Sequence, residues 1–187
     1  MRPLPALTLL GTTLVALAAA PAEIAVRLID ADPAADPLDR SWTTQPAVAL
    51  HLLPQTSVPP ATASAAAHVD DRLHVRVQRG PTMLALHLEW RDARPATTLG
   101  IGRFADAAAV QWPALAAAPA PAADPPYLGM GHRGAPVEIW FWRADGKQER
   151  LAAEGFGTLT PQPGGLRAQS AWQRGRWRVV IAAQAAP

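Results

Sequence analysis

Cysteine is absent from this chain of 187 residues. That excludes disulfides, thiolate nucleophiles, Cys-ligated zinc, iron–sulfur clusters and covalent haem attachment through C-x-x-C-H. Lysine is almost absent as well: Lys147 stands alone, and arginine carries the rest of the positive charge. No basic run occurs and the formal charge is only +2, which leaves nucleic-acid binding without support. The G-x-S-x-G, H-E-x-x-H and P-loop signatures are missing. The carboxylates are scattered through loops without visible pairing, so no enzyme constellation emerges. Beyond the first twenty or so residues, no run is long and apolar enough to span a bilayer.

Proline and glycine are abundant, at 20 and 13 residues. They signal many turns and argue against long helices. Seven Trp supply most of the aromatic bulk. At the N-terminus, Arg2 is followed by an apolar stretch from Leu4 to Ala20. Ala20-Pro21-Ala22 then fits an A-x-A cleavage site. Residues 1–22 read as a signal peptide and 23–187 as one exported domain. With no twin-arginine pair, the general secretory route is implied, and cleavage would leave no membrane span. An uncleaved anchor is the alternative; Pro3, Pro5 and Gly11 weigh against it.

The strand signals are short and frequent. Glu23 to Leu28 and Val48 to Leu53 are strand candidates on either side of an Asp/Pro-rich loop, Asp30 to Asp39. In Leu73-His74-Val75-Arg76-Val77-Gln78 the apolar residues alternate strictly with polar ones. Arg79-Gly80-Pro81-Thr82 is turn chemistry, and Met83 to Trp90 alternates again, which predicts a β-hairpin. Further strands are predicted at Ala107 to Trp112 and Val137 to Trp142. A last hairpin runs from Leu166 to Trp172 and Arg176 to Ala182 around Gln173-Arg174-Gly175. Ala114 to Pro126 is an Ala/Pro-rich loop. The pattern predicts an all-β fold, an antiparallel β-sandwich with short helices or turns in its loops.

Candidate functional residues are few. Asp106, between Phe104 and an apolar strand, reads as a turn or cap carboxylate. His51, His74 and His87 lie in strands and His68 in a loop. His132 lies in a Gly-rich turn, Gly129-Met130-Gly131-His132-Arg133-Gly134, ahead of the Trp140 strand. Glycines on both sides of Met130 let that backbone approach another group closely. A thioether there is either loop packing or a soft ligand suited to haem iron. Trp140, Trp142, Trp172 and Trp177 are either core or a wall against a flat ligand such as a porphyrin or a sugar.

An ordered series of landmarks then carries a family resemblance. It runs through Trp42, Leu52-Leu53-Pro54-Gln55, Leu86-His87-Leu88-Glu89-Trp90-Arg91-Asp92 and Phe104-Ala105-Asp106. It continues through Gly129-Met130-Gly131, Pro136-Val137-Glu138-Ile139-Trp140-Phe141-Trp142, Gly155-Phe156-Gly157-Thr158 and Trp172-Gln173-Arg174-Gly175-Arg176-Trp177. In this the chain resembles the haem b-binding gamma subunits of dimethyl sulfoxide reductase-type molybdoenzymes, those of ethylbenzene and dimethyl sulfide dehydrogenases and of selenate and chlorate reductases. The resemblance implies a periplasmic β-sandwich holding one non-covalent haem b, a cytochrome b that transfers electrons and is not itself catalytic. Met130 matches the family's axial Met, with Gly129, Gly131, His132 and Trp140 around the cofactor. The implied partners are a molybdenum-cofactor catalytic subunit, an iron–sulfur subunit and a soluble periplasmic electron carrier. The sequence departs from the family at its second ligand, a lysine. Gln169 stands nearest that position, and Lys147 lies instead in the turn after the Trp142 strand. Ligation by His132 or a strand histidine, five-coordination, and loss of the haem all stay open. Two rival readings are a carbohydrate-binding sandwich that uses Trp140 and Trp142, and a haem-less structural subunit of the same complex.

Overall fold

A computed structural model describes residues 23–53, 69–114 and 129–185. The proposed signal peptide, His68 and most of the Ala/Pro-rich loop lie outside the described residues. The described chain forms ten strands and one 3₁₀ turn, Arg40–Thr44, with no longer helix. One sheet runs β1(Val26–Leu28)-β3(Val69–Arg79)-β4(Met83–Asp92)-β10(Arg176–Gln184)-β9(Arg167–Gln173). β2(Val48–His51) also borders β3, making six strands. The second sheet has four strands, β5(Ala107–Pro113)-β6(Val137–Arg143)-β7(Gln148–Ala153)-β8(Thr160–Pro161). The architecture is the expected all-β sandwich.

Side-chain alternation sets the two layers. Val75 and Val77 of β3, Leu86 and Leu88 of β4 and Val179 and Ile181 of β10 are buried on one face of the six-stranded sheet. They meet Trp140 and Trp142 of β6, with Ala108, Val110 and Trp112 of β5 packed alongside. The indoles interlock: Trp112 meets Trp140 edge-on at 4.5 Å, and Trp142 meets Trp177 at 5.2 Å. Such pairs add about 0.5–1.5 kcal/mol each beyond simple burial.

Two hairpins fix the register. Asp32 braces the β3–β4 turn by accepting hydrogen bonds from the Thr82 and Met83 backbone N–H groups at 2.9 and 3.0 Å. A Cβ at Gly80 would lie 2.5 Å from the Asp32 Cα, so only glycine fits there. In the β9–β10 hairpin, Gln173 pairs with Arg176 across a two-residue turn. Arg174 and Gly175 both have positive φ, 52° and 71°, the twist that a two-residue hairpin needs.

Three features differ from the sequence-based expectation. β1 is shorter than predicted and runs parallel to β3. β7 and β8 were not predicted: Gln-Glu-Arg-Leu-Ala-Ala has little intrinsic strand preference, and β7 is a strand because β6 pairs with it along its length. The segment from Asp30 to Thr44 is more than a loop. It crosses the outer face of the six-stranded sheet as a strap and seats Trp42, only 1% exposed, on Ala85 and Val180.

Candidate functional site

The Gly-rich turn before β6 has a conformation that the sequence only hinted at. Met130 has φ 75° and Gly131 φ 71°, two successive left-handed residues. A non-glycine residue held there costs about 1–3 kcal/mol and persists only where its surroundings enforce it. Three backbone hydrogen bonds do so here. The Gly155 N–H donates to the Met130 carbonyl at 2.8 Å, and His132 and Ala135 exchange bonds at 3.3 and 2.9 Å. Gly131 is obligatory, because a Cβ there would stand 2.8 Å from the Ala135 carbonyl oxygen.

This turn lays the Met130 side chain, half-buried, on Val137, Ile139, Leu151 and Ala153, with Phe141 beside it. Those residues form the outer face of the four-stranded sheet, so the thioether lies outside the core between the sheets. The bond from Gly155 brings a second glycine turn alongside, Gly155-Phe156-Gly157. There Phe156 is 73% exposed, and Leu159 is exposed nearby in sequence. The described residues thus supply an apolar cluster, a thioether presented by a constrained backbone, and an exposed aromatic ring on the adjoining turn. This donor chemistry suits one axial position of a haem. Among the described residues there is no group of three or more His, Asp or Glu able to hold a metal ion.

Residues 39–165 match the family model described as ethylbenzene dehydrogenase. The chain belongs to the ethylbenzene dehydrogenase family. It is 34% identical over 147 residues to a putative respiratory nitrate reductase heme subunit from Haloferax mediterranei, covering 78% of this chain and 50% of that protein. It is 32% identical over 150 residues to the chlorate reductase subunit gamma of Ideonella dechloratans, covering 79% and 59%. The chain therefore spans between half and three-fifths of the length of these relatives. The family match takes in the strap from Asp39 onward, the Met130 turn and the Phe156 turn. It ends before the β9–β10 hairpin.

Within this family member, the residues singled out from sequence do not all converge. Gly129, Gly131 and Met130 lie together in the turn. His132 is on the same turn but exposed, with its Nδ1 3.1 Å from the Arg133 carbonyl oxygen. Trp140 is 3% exposed and points between the sheets, away from the Met130 side of β6. Its indole N–H donates to Glu138, whose carboxylate also takes Arg150 in a two-pronged ion pair at 2.7 and 2.9 Å. Trp142 is equally buried, so neither indole offers a face for stacking on a sugar.

Gln169 pairs with Val180 on the outer face of the other sheet, beside Met83 and Arg167 in a hollow of about 230 Å³. It and Met130 therefore lie on opposite outsides of the sandwich. Lys147 shares the four-stranded sheet with Met130 but lies at the far end of β7, ion-paired with Glu149 at 2.9 Å. At ~3.4 Å per residue it is roughly 14–20 Å along the strand from Leu151 and Ala153. His51 sits exposed beside Asp71 at 3.3 Å. The Asp106 carboxylate does act as a brace: it accepts hydrogen bonds from the Ala96 N–H at 2.7 Å and the Trp177 indole at 2.9 Å.

Sequence reasoning missed the surroundings of His87. That ring is 2% exposed and stacks on Trp42 with centroids 5.2 Å apart. Its Nε2 lies 3.0 Å from the Pro37 carbonyl oxygen, and its Nδ1 3.5 Å from an Arg76 nitrogen. Burial pushes its pKa below the usual imidazole value, against the opposing pull of the Pro37 hydrogen bond; the Arg76 charge adds to the lowering. The alternation of β4 already turned His87 away from the leucines. Nothing in the alternation said that a strap would cover it.

Proposed function

We propose that this chain is a haem-binding, electron-transferring subunit of a molybdoenzyme complex, with Met130 as one axial ligand of a non-covalent haem b. The supporting observation is the Met130 turn: a half-buried thioether held on a left-handed backbone against a buried apolar cluster on the outer side of the four-stranded sheet. Family membership supports the same reading, as do relatives named as a nitrate reductase heme subunit and a chlorate reductase gamma subunit. Bound haem supplies a one-electron couple; the protein binds it, sets its polarity and docks its partners. Val137, Ile139, Leu151 and Phe141 give Met130 an apolar surrounding, and a thioether ligand would favour the reduced iron and a raised potential.

The proposed partners are a molybdenum-cofactor catalytic subunit, an iron–sulfur subunit and a soluble electron carrier in the periplasm. The reading of residues 1–22 as a signal peptide supports that location. Among the described residues no helix is long and apolar enough to cross a membrane. The second axial ligand stays unassigned, because Gln169 and Lys147 both lie away from Met130. That separation favours one alternative over the others: a structural subunit of the same complex that has kept the fold and lost the haem.

Expression with haem supply, followed by optical spectroscopy and pyridine extraction, tests the proposal. The expected result is one b-type haem per chain, with a spectrum that changes or disappears in Met130→Ala. A chain that stays colourless with added haemin, yet co-purifies with a molybdenum subunit, would establish the haem-less alternative.

A further inference from the structure

The outer face of the six-stranded sheet is strongly basic, although the whole chain is nearly neutral. The register places Arg27, Arg76, Arg91, Arg167, Arg176 and Arg178 on that side of the paired rows, with the Glu89 carboxylate among them. The strap divides this face. It covers the rows of Gln78 and His87 through Pro37, Trp42 and Gln45, whose carbonyl accepts from the Arg76 Nε at 3.0 Å. The covering segment is the chain's own Asp-rich stretch, with Asp30, Asp32, Asp36 and Asp39. Beyond its edge lie the next two rows, those of Glu89 and Arg91, where Arg91 is exposed and Glu89, Arg176 and Arg178 are partly buried.

At the boundary between the two halves, three guanidinium groups converge on one carboxylate. Arg176 is 3.3 Å, Arg178 3.5 Å and Arg76 3.9 Å from Glu89 oxygens. Arg91 is exposed, and its side chain makes no hydrogen bond or ion pair among the described residues. It sits directly across from Arg176 in the β4–β10 ladder. A like-charge pair at that spacing opposes folding. A sheet that keeps one, beside a carboxylate already shared three ways, has positive charge left to be neutralised from outside.

We propose that the half beyond the strap docks an acidic protein surface, whose carboxylates pair with Arg91, Arg176 and Arg178. Planar guanidinium forks match carboxylates two-pronged, which favours an acidic protein over a diffuse polyanion. Glu89 at the centre of the patch limits its net charge, which disfavours a phosphate-dense membrane or nucleic acid. The inference does not depend on haem binding: the Met130 turn is on the other outside of the sandwich.

The test uses the full chain with labelled poly-L-glutamate, followed by fluorescence anisotropy at low and physiological salt. The proposal expects salt-sensitive binding that weakens about tenfold or more in Arg91→Glu/Arg176→Glu, and by a smaller factor in the milder Arg91→Gln/Arg176→Gln. Arg103→Glu/Lys147→Glu, with the same change in net charge on exposed turns elsewhere, should leave binding within about threefold. Equal losses in both charge-reversed pairs would overturn the proposal in favour of net charge alone. Tighter binding to phosphatidylglycerol vesicles or to oligo-dT, lost in the Arg91/Arg176 pair, would overturn it in favour of a membrane or a nucleic acid.

Discussion

Trp42→Ala isolates what the strap contributes. Trp42 fills the space between the strap and the outer face of the six-stranded sheet, touching Ala85 and Val180 and stacking on His87. Truncating a fully buried indole costs about 3–5 kcal/mol in lost burial and residual cavity. One feature works the other way: the Trp42 indole N–H is buried without a hydrogen-bond partner, and removing it relieves roughly 1–3 kcal/mol of desolvation. Trp42→Phe, which keeps most of the apolar ring and drops the orphan donor, should therefore cost less, about 1 kcal/mol or below. Set against that relief, Trp42→Ala should cost about 2 kcal/mol net, lowering the urea midpoint and, in a thermal scan, lowering Tm by about 4–8 °C for a domain of this size. A second readout is independent of stability. With the indole gone, water reaches His87, and its pKa should rise toward the ordinary imidazole value, followed by NMR titration. A Trp42→Ala protein within about 1 kcal/mol of the parent, with an unmoved His87 titration, would refute the reasoning that the strap closes a second core.

The chain should lose stability in mild acid. The folded pKa of His87 is below its unfolded value, so its contribution is fully present above about pH 6.5 and is lost as pH falls from there toward the lowered folded value. His87→Gln should flatten that part of the stability–pH curve, measured by urea unfolding at stepped pH. Burial opposes ionisation of Glu138, but hydrogen bonds from Arg150 and Trp140 outweigh it and leave its pKa below the usual glutamate value. Its contribution is therefore present above the usual glutamate pKa and is lost as pH falls through the lowered one; Glu138→Ala should cost about 2–3 kcal/mol at neutral pH and remove that acid limb. Gly131→Ala should destabilise the Met130 turn by about 1–3 kcal/mol and weaken haem uptake more than it lowers Tm, because the new Cβ meets backbone that cannot yield. Asp106→Asn should weaken the hold on both the Ala96 loop and the Trp177 indole, seen as a shift in Trp emission and faster amide exchange near Ala96.

Much of the sandwich was legible because alternation is a local property. The β3–β4 and β9–β10 hairpins announce themselves through apolar residues at every second position and through Gly80 and Arg174-Gly175 at the turns. β7 was not legible, because its sequence has no pattern of its own and the order comes from β6. The same limit applies to the site. The glycines around Met130 signalled an unusual turn, and the left-handed pair at Met130 and Gly131 is that turn. Which side of β6 the sulfur would lie on depends on the Gly155 bond, a contact made 25 residues later in the chain. Trp140 illustrates the ambiguity from the other direction. With apolar residues on both faces of β6, sequence alone did not say whether the tryptophans or Val137 and Ile139 faced the other sheet. The arginines of β4 and β10 were visible one by one, but their concentration on one face needs the register that sets Arg91 opposite Arg176.

The central claim is that the Met130 sulfur binds haem iron. Its most direct test is the ¹³C-methyl methionine NMR spectrum of the haem-loaded protein in the reduced, diamagnetic state, assigned by Met130→Leu, with Met83 as the internal reference. The expected result is a Met130 methyl displaced far upfield by the porphyrin ring current, with that of Met83 unmoved. A Met130 methyl at the same shift with and without haem, in protein that has bound haem stoichiometrically, would contradict it.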